Sequence, residues 1–493
     1  MITPFLNDFF FLIPEIHWIS SVVLMLLFST FLTSKVRLVL VTNLGYLALF
    51  LILLFAFLIF NVPSLEYSLL HYQYTVTSFH FVFKLIFLFF LCLCLFFSLD
   101  YFFFERVFFV EYYFLVGLFS VSAMFLMSAN DFILFYFTIE LQALILYTLA
   151  ALKRYTVFST ESALKYFVLG ALSSGLLLFG ISLFYGFFGT FNFYDLKFIF
   201  LKWAGVRFFY GIILAMLFIF SALFFKLSAA PFHIWAPDVY EGAPTPIVLF
   251  FATLPKLVIF IFSVRLFLIV MYDFAFVWYL SFFFVGLLSV FWGTLAAINQ
   301  LNIKRLYAYS AVTNIGYLCS ILAYATYDSF VALFNYLLIY ILSTISLFAL
   351  IVLFRKATTG SKIKFLVEYR LYASYSFTLG LLISLLFFSL AGVPPLAGFF
   401  VKFFLFRSIF SSDFLLASAF FLILILSVVA AFYYIRVVRF TFFVPVRVPA
   451  FFLNLSFIGT FLFVNLILIL VLFVFFQSTF YAFLSLLVST LFF

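Results

Sequence analysis

Apolar stretches of about twenty residues recur along the whole of this chain, each as long as the run an α-helix needs to cross the hydrocarbon of a bilayer. Backbone inside hydrocarbon must satisfy its own hydrogen bonds, so such stretches form helices. Runs of spanning length lie at about 9–30, 38–60, 79–99, 107–128, 131–151, 160–187, 208–230, 245–267, 275–298, 303–325, 328–353, 376–408, 414–440 and 451–476. They predict an all-α polytopic membrane protein with about fourteen transmembrane helices. Segment 477–493 is apolar enough to continue the last helix or to add another. With 69% of the 493 residues hydrophobic and 8% charged, no water-soluble core could bury the apolar load. Phenylalanine supplies 90 residues and falls on every side of every run. It therefore marks no functional face and reflects mutational pressure toward AT-rich codons, which points to an organelle genome.

The basic residues test the helix count, because Lys and Arg near helix ends concentrate on one side of a membrane. Of the 25, fifteen follow odd-numbered helices, among them Lys153, Arg154, Lys304 and Arg305, while five, Lys197, Lys202, Arg207, Arg265 and Arg407, sit in loops or helix ends on the other side. A miscounted helix would scramble this asymmetry, so an even number of helices goes with both termini on the basic-poor face. The loop after the seventh run carries no Lys or Arg and stands outside the pattern. The first run contains Pro14 and Glu15, without a basic leader or a small-residue cleavage site, and is expected to remain as the first helix. Cys92, Cys94 and Cys319 lie in apolar runs at spacings that suit neither a disulfide framework nor a four-ligand metal site, and are expected to be plain thiols.

The other five basic residues, Lys84, Lys165, Lys226, Lys256 and Lys402, fall inside the runs together with Glu140. A lysine at bilayer depth costs about 2.5–3.5 kcal/mol on an insertion scale, so each needs a reason. Glu140 stands about ten residues into its run, roughly 15 Å of rise, which places it near the midplane. Lys256 is similarly central in the eighth run. Lys226 precedes Pro231 by five residues and Lys402 follows Pro394 by eight. Such prolines interrupt a membrane helix, and the freed backbone groups are tolerated chiefly beside protein or a wet cavity. "KLSAAP" and "LAGVPPLAG" thus predict two broken helices in corresponding halves of the chain, each with a lysine close to the break, the pattern of transporters built from paired repeats. Helices four to eight would form one unit and nine to thirteen the other.

Each of these residues has a structural alternative. Lys165 either snorkels toward the basic face or lines a proton path, and Lys84, near a helix end, is read as a snorkeller. Lys226, Lys256 and Lys402 could be locked in ion pairs, but three deep lysines outnumber one deep glutamate. His233 either caps a broken helix end or relays protons. Asp238 and Glu241 lie in a polar turn and are read as structural. Gly170 and Gly175 fit close helix packing, and Glu15 is read as facing a partner subunit. A lysine whose neighbouring carboxylate can approach or withdraw switches between holding and releasing a proton. A chain of such lysines, joined by His233 and water, would form a transverse proton wire. Redox chemistry finds no support: no dinucleotide fingerprint, no cysteine cluster for iron and sulfur, and no histidine pair at haem spacing among His17, His71, His80 and His233.

"STESALKYFVLGALSSGLLLFG" (159–180), "KLSAAPFHIWAPDVYEGAPTP" (226–246), "LNIKRLYAYSAVTNIGYL" (301–318) and "LAGVPPLAGFFVKFFLF" (390–406) resemble the antiporter-like membrane subunits of NADH:ubiquinone oxidoreductase, respiratory complex I, of the chain 2 type. The resemblance runs over about helices four to thirteen. The sister types 4 and 5 share the "PFH.W.PD..E.PTP" pattern but usually follow it with a His-Ala-Ala stretch, where this chain has "FFATLPK". The resemblance implies two inverted five-helix repeats, at 107–270 and 271–440, between three N-terminal helices at 1–106 and a C-terminal helix at 441–493. Fourteen helices match the full-length form, not the shortened animal form that lacks three N-terminal helices. Glu140 looks like the glutamate that modulates the first-half lysine, Lys226 like that lysine at the break, Lys256 like the connecting lysine, and Lys402 like the second-half lysine. Lys165 matches a lysine that the chain 2 type carries in its sixth helix. The implied role is proton translocation driven by quinone reduction elsewhere in the complex, in the mitochondrial inner membrane, with the bacterial plasma membrane as the alternative. NADH, FMN, iron–sulfur clusters and ubiquinone are expected in other subunits, with none in this chain. The implied partners are the other membrane-arm subunits, including the other antiporter-like chains, and the bilayer, with no nucleic acid. The phenylalanine load departs from typical members without touching the motif residues. Two other functions stay open: a freestanding cation/proton antiporter, and a structural spacer within a larger membrane arm.

Overall fold

A computed structural model describes residues 11–31, 37–62, 67–105, 109–202, 209–355, 362–410, 414–445 and 456–492. Of the flanking basic residues, Lys35, Arg106, Arg207, Lys356 and Arg447 lie outside the described residues. Helices dominate, and twelve of those described are long and apolar enough to cross a membrane.

The first compact unit comprises residues 1–226, 254–275 and 490–493. Its helices are α1 (Ile13–Phe31), α2 (Arg37–Asn61), α3 (Ser78–Glu105), α4 (Glu111–Ser128), α5 (Phe132–Ala150), α6 (Val157–Phe188), the short α7 (Phe193–Lys202) and α8 (Phe209–Leu227). Between α2 and α3 a hairpin pairs β1 (Tyr67–Leu69) with β2 (Tyr74–Val76). α1 packs on α2 and α4, α2 on α3, and α5 on both α4 and α6. Trp18 Nε1 donates to Ser120 Oγ at 2.8 Å and so fastens α1 to α4. Asp131 ends the tight turn between α4 and α5, its side chain accepting from Ile133 N at 3.1 Å as the N-cap of α5.

The second unit comprises residues 227–253 and 276–489. α9 (Trp235–Gly242) follows the α8 break, and α10 (Thr245–Ile269) and α11 (Ala275–Ile298) each have residues in both units. α12 (Ile303–Leu322), α13 (Tyr327–Leu353), the short α14 (Arg370–Tyr375), α15 (Phe377–Ala391), α16 (Ala397–Phe410), α17 (Phe414–Phe442) and α18 (Phe457–Phe492) complete it. α12 fills the tenth expected run but is more polar than a membrane span requires, and α15 and α16 divide the twelfth into two pieces too short to span singly. α18 runs without interruption for 36 residues, so 477–492 continues the last helix. Buried serines and threonines in the helices, such as Ser98, Ser310 and Thr344, donate to carbonyls three residues back, which removes the cost of placing hydroxyls in an apolar interior.

The structure corrects three expectations. Lys84 does not snorkel: it is 3% exposed, and its Nζ lies 2.8 Å from Glu15 Oε1. Glu15 accordingly points into its own chain and not toward a partner. Of the two glycines expected at helix contacts, Gly170 lies against the Tyr147 ring, while nothing stands within 4 Å of a Cβ built on Gly175. Cys92, Cys94 and Cys319 form no disulfide.

Candidate functional site

α8 ends at Leu227, and Ser228 adopts a left-handed backbone with φ of +62° ahead of Pro231. A helix C-terminus leaves carbonyls unsatisfied and carries a partial negative charge, which favours a cation in the last turn. Lys226 occupies that turn. Its Nζ is buried and has no hydrogen-bond partner. It stands over the Tyr147 ring, 5.8 Å from the centroid. Glu140, two turns before Tyr147 on the same face of α5, acts on both Lys226 and Tyr147 electrostatically, and its Oε1 is also buried without a partner. No ion pair within 4.0 Å joins Glu140 to Lys226. The first unit thus holds an ammonium and a carboxylate in Coulomb range, with an aromatic ring against the ammonium. A small displacement of either changes their interaction steeply in a low-dielectric interior.

Gly170 on α6 makes room for this arrangement, since a Cβ there would overlap the Tyr147 hydroxyl. Tyr147 also meets Tyr166 edge-on at 4.7 Å. Lys165, on the same helix, is largely exposed and pairs with Glu161 at 2.8 Å across one turn, away from the buried set. Lys256 is 2% exposed on α10, directly after Pro255, whose missing N–H frees a carbonyl in the preceding turn.

In the second unit the break between α15 and α16 holds Lys402. α15 ends at Gly392, whose φ of +87° suits glycine, and a Cβ there would meet the Lys402 side chain at 3.0–3.4 Å. Lys402 Nζ donates to the carbonyls of Leu390 at 3.1 Å and Ala391 at 2.9 Å, so the cation caps the end of the half-helix in front of it. It also lines a cavity of about 30 Å³ together with Asn314, Tyr336, Tyr340, Ser343 and Ser389, room for roughly one or two waters among hydroxyl and amide groups. His233 lies in the α8–α9 connection, half-buried, with Nδ1 buried and without a hydrogen-bond partner.

Asp238 and Glu241 have a structural explanation. Arg305 at the start of α12 meets Asp238 at 2.9 Å and Glu241 at 2.5 Å, Asn302 donates to Glu241 at 2.7 Å, and Lys304 donates to the Ala243 carbonyl at 2.6 Å. Cations from α12 therefore serve the basic-free loop after the seventh run.

Sequence reasoning missed a hydroxyl network in the second unit. Tyr336 donates to Asn314 Oδ1 at 2.8 Å, and buried Tyr434 lies close by Asn314, Ser310 and Tyr433. One turn before Ser310, Tyr307 shares a short hydrogen bond with Tyr369. Asn314 and Tyr336 line the Lys402 cavity, so buried hydroxyls lead from it toward the start of α12. The signal was present: Tyr307, Ser310, Asn314 and Tyr317 recur at helical spacing along one face of α12. Among the described residues, no three His, Cys, Asp or Glu side chains gather as a metal-binding set.

Residues 129–429 match the family described as NADH:quinone oxidoreductase/Mrp antiporter, transmembrane. The chain is 35% identical over 447 residues to NADH-ubiquinone oxidoreductase chain 2 of Marchantia polymorpha, covering 89% of this chain and 90% of the relative. It is 41% identical over 318 residues to NADH-quinone oxidoreductase subunit N of Rhodospirillum rubrum, 64% of each chain. Its fold matches a chain of respiratory complex I from Thermus thermophilus, solved with bound aureothin, with a TM-score of 0.76 and 27% identity over 95% of this chain and 98% of that one.

Proposed function

Because the chain belongs to the NADH:quinone oxidoreductase/Mrp antiporter transmembrane family, we propose that it is a core membrane-arm subunit of NADH:ubiquinone oxidoreductase that translocates protons, driven by quinone reduction elsewhere in the complex. The observation that carries this reading is Lys226: a buried amine with no hydrogen-bond partner, at a helix break, within Coulomb range of Glu140. When Glu140 approaches, the ammonium form is favoured. When it withdraws, the amine form gains and a proton is released. Lys402 plays the corresponding part in the second unit, exchanging protons with water in its cavity while the Leu390 and Ala391 carbonyls hold the loaded state. Lys256 and His233 serve as relays, and Lys165 takes part at the exposed face of α6. This reading includes fourteen membrane crossings in two inverted five-helix repeats, residence in the mitochondrial inner membrane, contact with the other antiporter-like chains, and redox groups confined to other subunits.

Purified complex carrying Lys226→Ala or Lys402→Ala is expected to oxidise NADH while pumping fewer protons for each one oxidised. An unchanged ratio would show that these lysines do not carry the protons. The family description also covers antiporters, so a second reading is a freestanding cation/proton exchanger. Gradient-driven exchange by the isolated chain in liposomes would favour it, and copurification with NADH dehydrogenase activity would exclude it.

A further inference from the structure

A second buried charged cluster lies in the first unit, beneath the β1–β2 hairpin. Lys84 is the seventh residue of α3, about 9 Å along the helix, and Glu15 is the third of α1. Both are almost wholly buried, at 3% and 5% exposed. Tyr74 of β2 lies between them: its hydroxyl accepts from Lys84 Nζ at 2.5 Å and donates to Glu15 Oε1 at 2.7 Å, while Lys84 also donates directly to Glu15 Oε1 at 2.8 Å. All three bonds meet in one ring, and Glu15 Oε2 is buried with no partner.

The charges around the ring do not balance. Arg265, at the end of α10 and 2% exposed, donates to the carbonyls of Met127 and Ala129 and to Thr75 Oγ1, the residue next to Tyr74. His80, one turn before Lys84, is within electrostatic reach of both Lys84 and Arg265. Its Nδ1 accepts from Thr77 N at 3.1 Å, which leaves Nε2 as the protonated nitrogen of a neutral ring. With Lys84 and Arg265 charged and Glu15 ionised, the cluster carries one net positive charge out of water. Loss of a single proton brings it to zero.

We propose that Glu15, Tyr74 and Lys84 form a proton-holding site of their own, separate from the one at Lys226, at the face that the basic residues mark as the basic-poor side. Lys84 Nζ gives up one proton to the Tyr74 oxygen as the Tyr74 hydroxyl proton passes to Glu15 Oε1. Glu15 then loses that proton to water, leaving a neutral amine, an intact phenol and a carboxylate. Reloading reverses the sequence, and no electron moves.

The inference rests on the proton-translocating reading, and the test separates the two. Lys84→Arg keeps a cation beside Glu15 and cannot give up its proton, so the assembled complex is expected to form at normal abundance and to lose part of its proton-to-NADH ratio. Tyr74→Phe keeps the direct Lys84–Glu15 bond, removes the relay, and is expected to slow proton release without loss of assembly. Both variants are measured in reconstituted complex beside Lys226→Ala. If Lys226→Ala lowers the ratio while Lys84→Arg and Tyr74→Phe pump at the unaltered ratio and rate, the cluster is a staple and this inference falls alone. If Lys226→Ala also leaves the ratio intact, the translocation reading falls first. Should Lys84→Arg fail to assemble, Tyr74→Phe decides.

Discussion

Tyr147 ties the Glu140–Lys226 pair to the neighbouring helix, and one glycine decides whether it can. An alanine at Gly170 would drive its methyl into the Tyr147 hydroxyl. Gly170→Ala is therefore expected to lower the thermal midpoint of the assembled complex by the equivalent of about 1–3 kcal/mol of overpacking. Gly175→Ala, with open space around the new methyl in this chain, is expected to leave the midpoint unchanged, and a matching loss at both sites would refute the contact. Asp131 offers a pH test. Burial raises its carboxyl above the usual 3.8, with the Ile133 and Phe132 amides pulling the other way. A raised acid holds its proton more tightly in the folded chain, so stability is greatest below the ordinary value and declines as pH rises through the raised one. Asp131→Asn keeps the cap and is expected to raise the midpoint at neutral pH, with the gain vanishing near pH 4, read by thermal melts across that range. An equal gain at both pH values would mean that the charge is not its source.

At the scale of elements, both helix breaks place a cation near a helix C-terminus. Lys226 sits in its own last turn with its Nζ unbonded, whereas Lys402 reaches back and caps the carbonyls of the helix before it. Gly392→Ala would combine left-handed strain of about 1–3 kcal/mol with a methyl against Lys402. It is expected to reduce both melting temperature and pumping, whereas loss of one alone would separate the cap from the chemistry. The breaks were legible in the sequence because proline has no N–H and a lysine in hydrocarbon is costly, and both facts are written in single residues. What was not legible depended on distant segments meeting. Glu15 and Lys84 lie 69 residues apart, and a lysine six residues inside a helix reads as a snorkeller until a hairpin covers it. Arg265 likewise looks like an ordinary flanking cation until α4 presents its carbonyls to it. The amphipathic α7 lay in a loop too short for a spanning pattern. In α12 a polar stripe was visible, but its partners Tyr336, Tyr369 and Tyr434 come from elsewhere in the unit.

For the molecule as a whole, hydropathy sufficed for the class, while the two compact units divide the chain in a way that no boundary in the sequence announces, since 227–253 belongs with residues beyond 276. Hydropathy is a property of windows, whereas a unit is defined by contacts between them. The far end of α18 has contacts of its own: Tyr327 donates to the Ser485 carbonyl at 2.5 Å, Tyr481 reaches Asp328 at 3.5 Å, and Tyr481 stacks on Phe404 at 4.8 Å. Ending the chain after Phe476 is expected to lower the thermal midpoint of the assembled complex, and an unaltered melt would mean that these contacts hold nothing. At 36 residues α18 is about 54 Å long, against roughly 30 Å of hydrocarbon. A greasy rod nearly twice the depth of its oil film overhangs it when upright. Leaning, bowing or thickening the film around it removes the overhang, and the neighbours that hold Tyr481 at Asp328 and Phe404 decide among these.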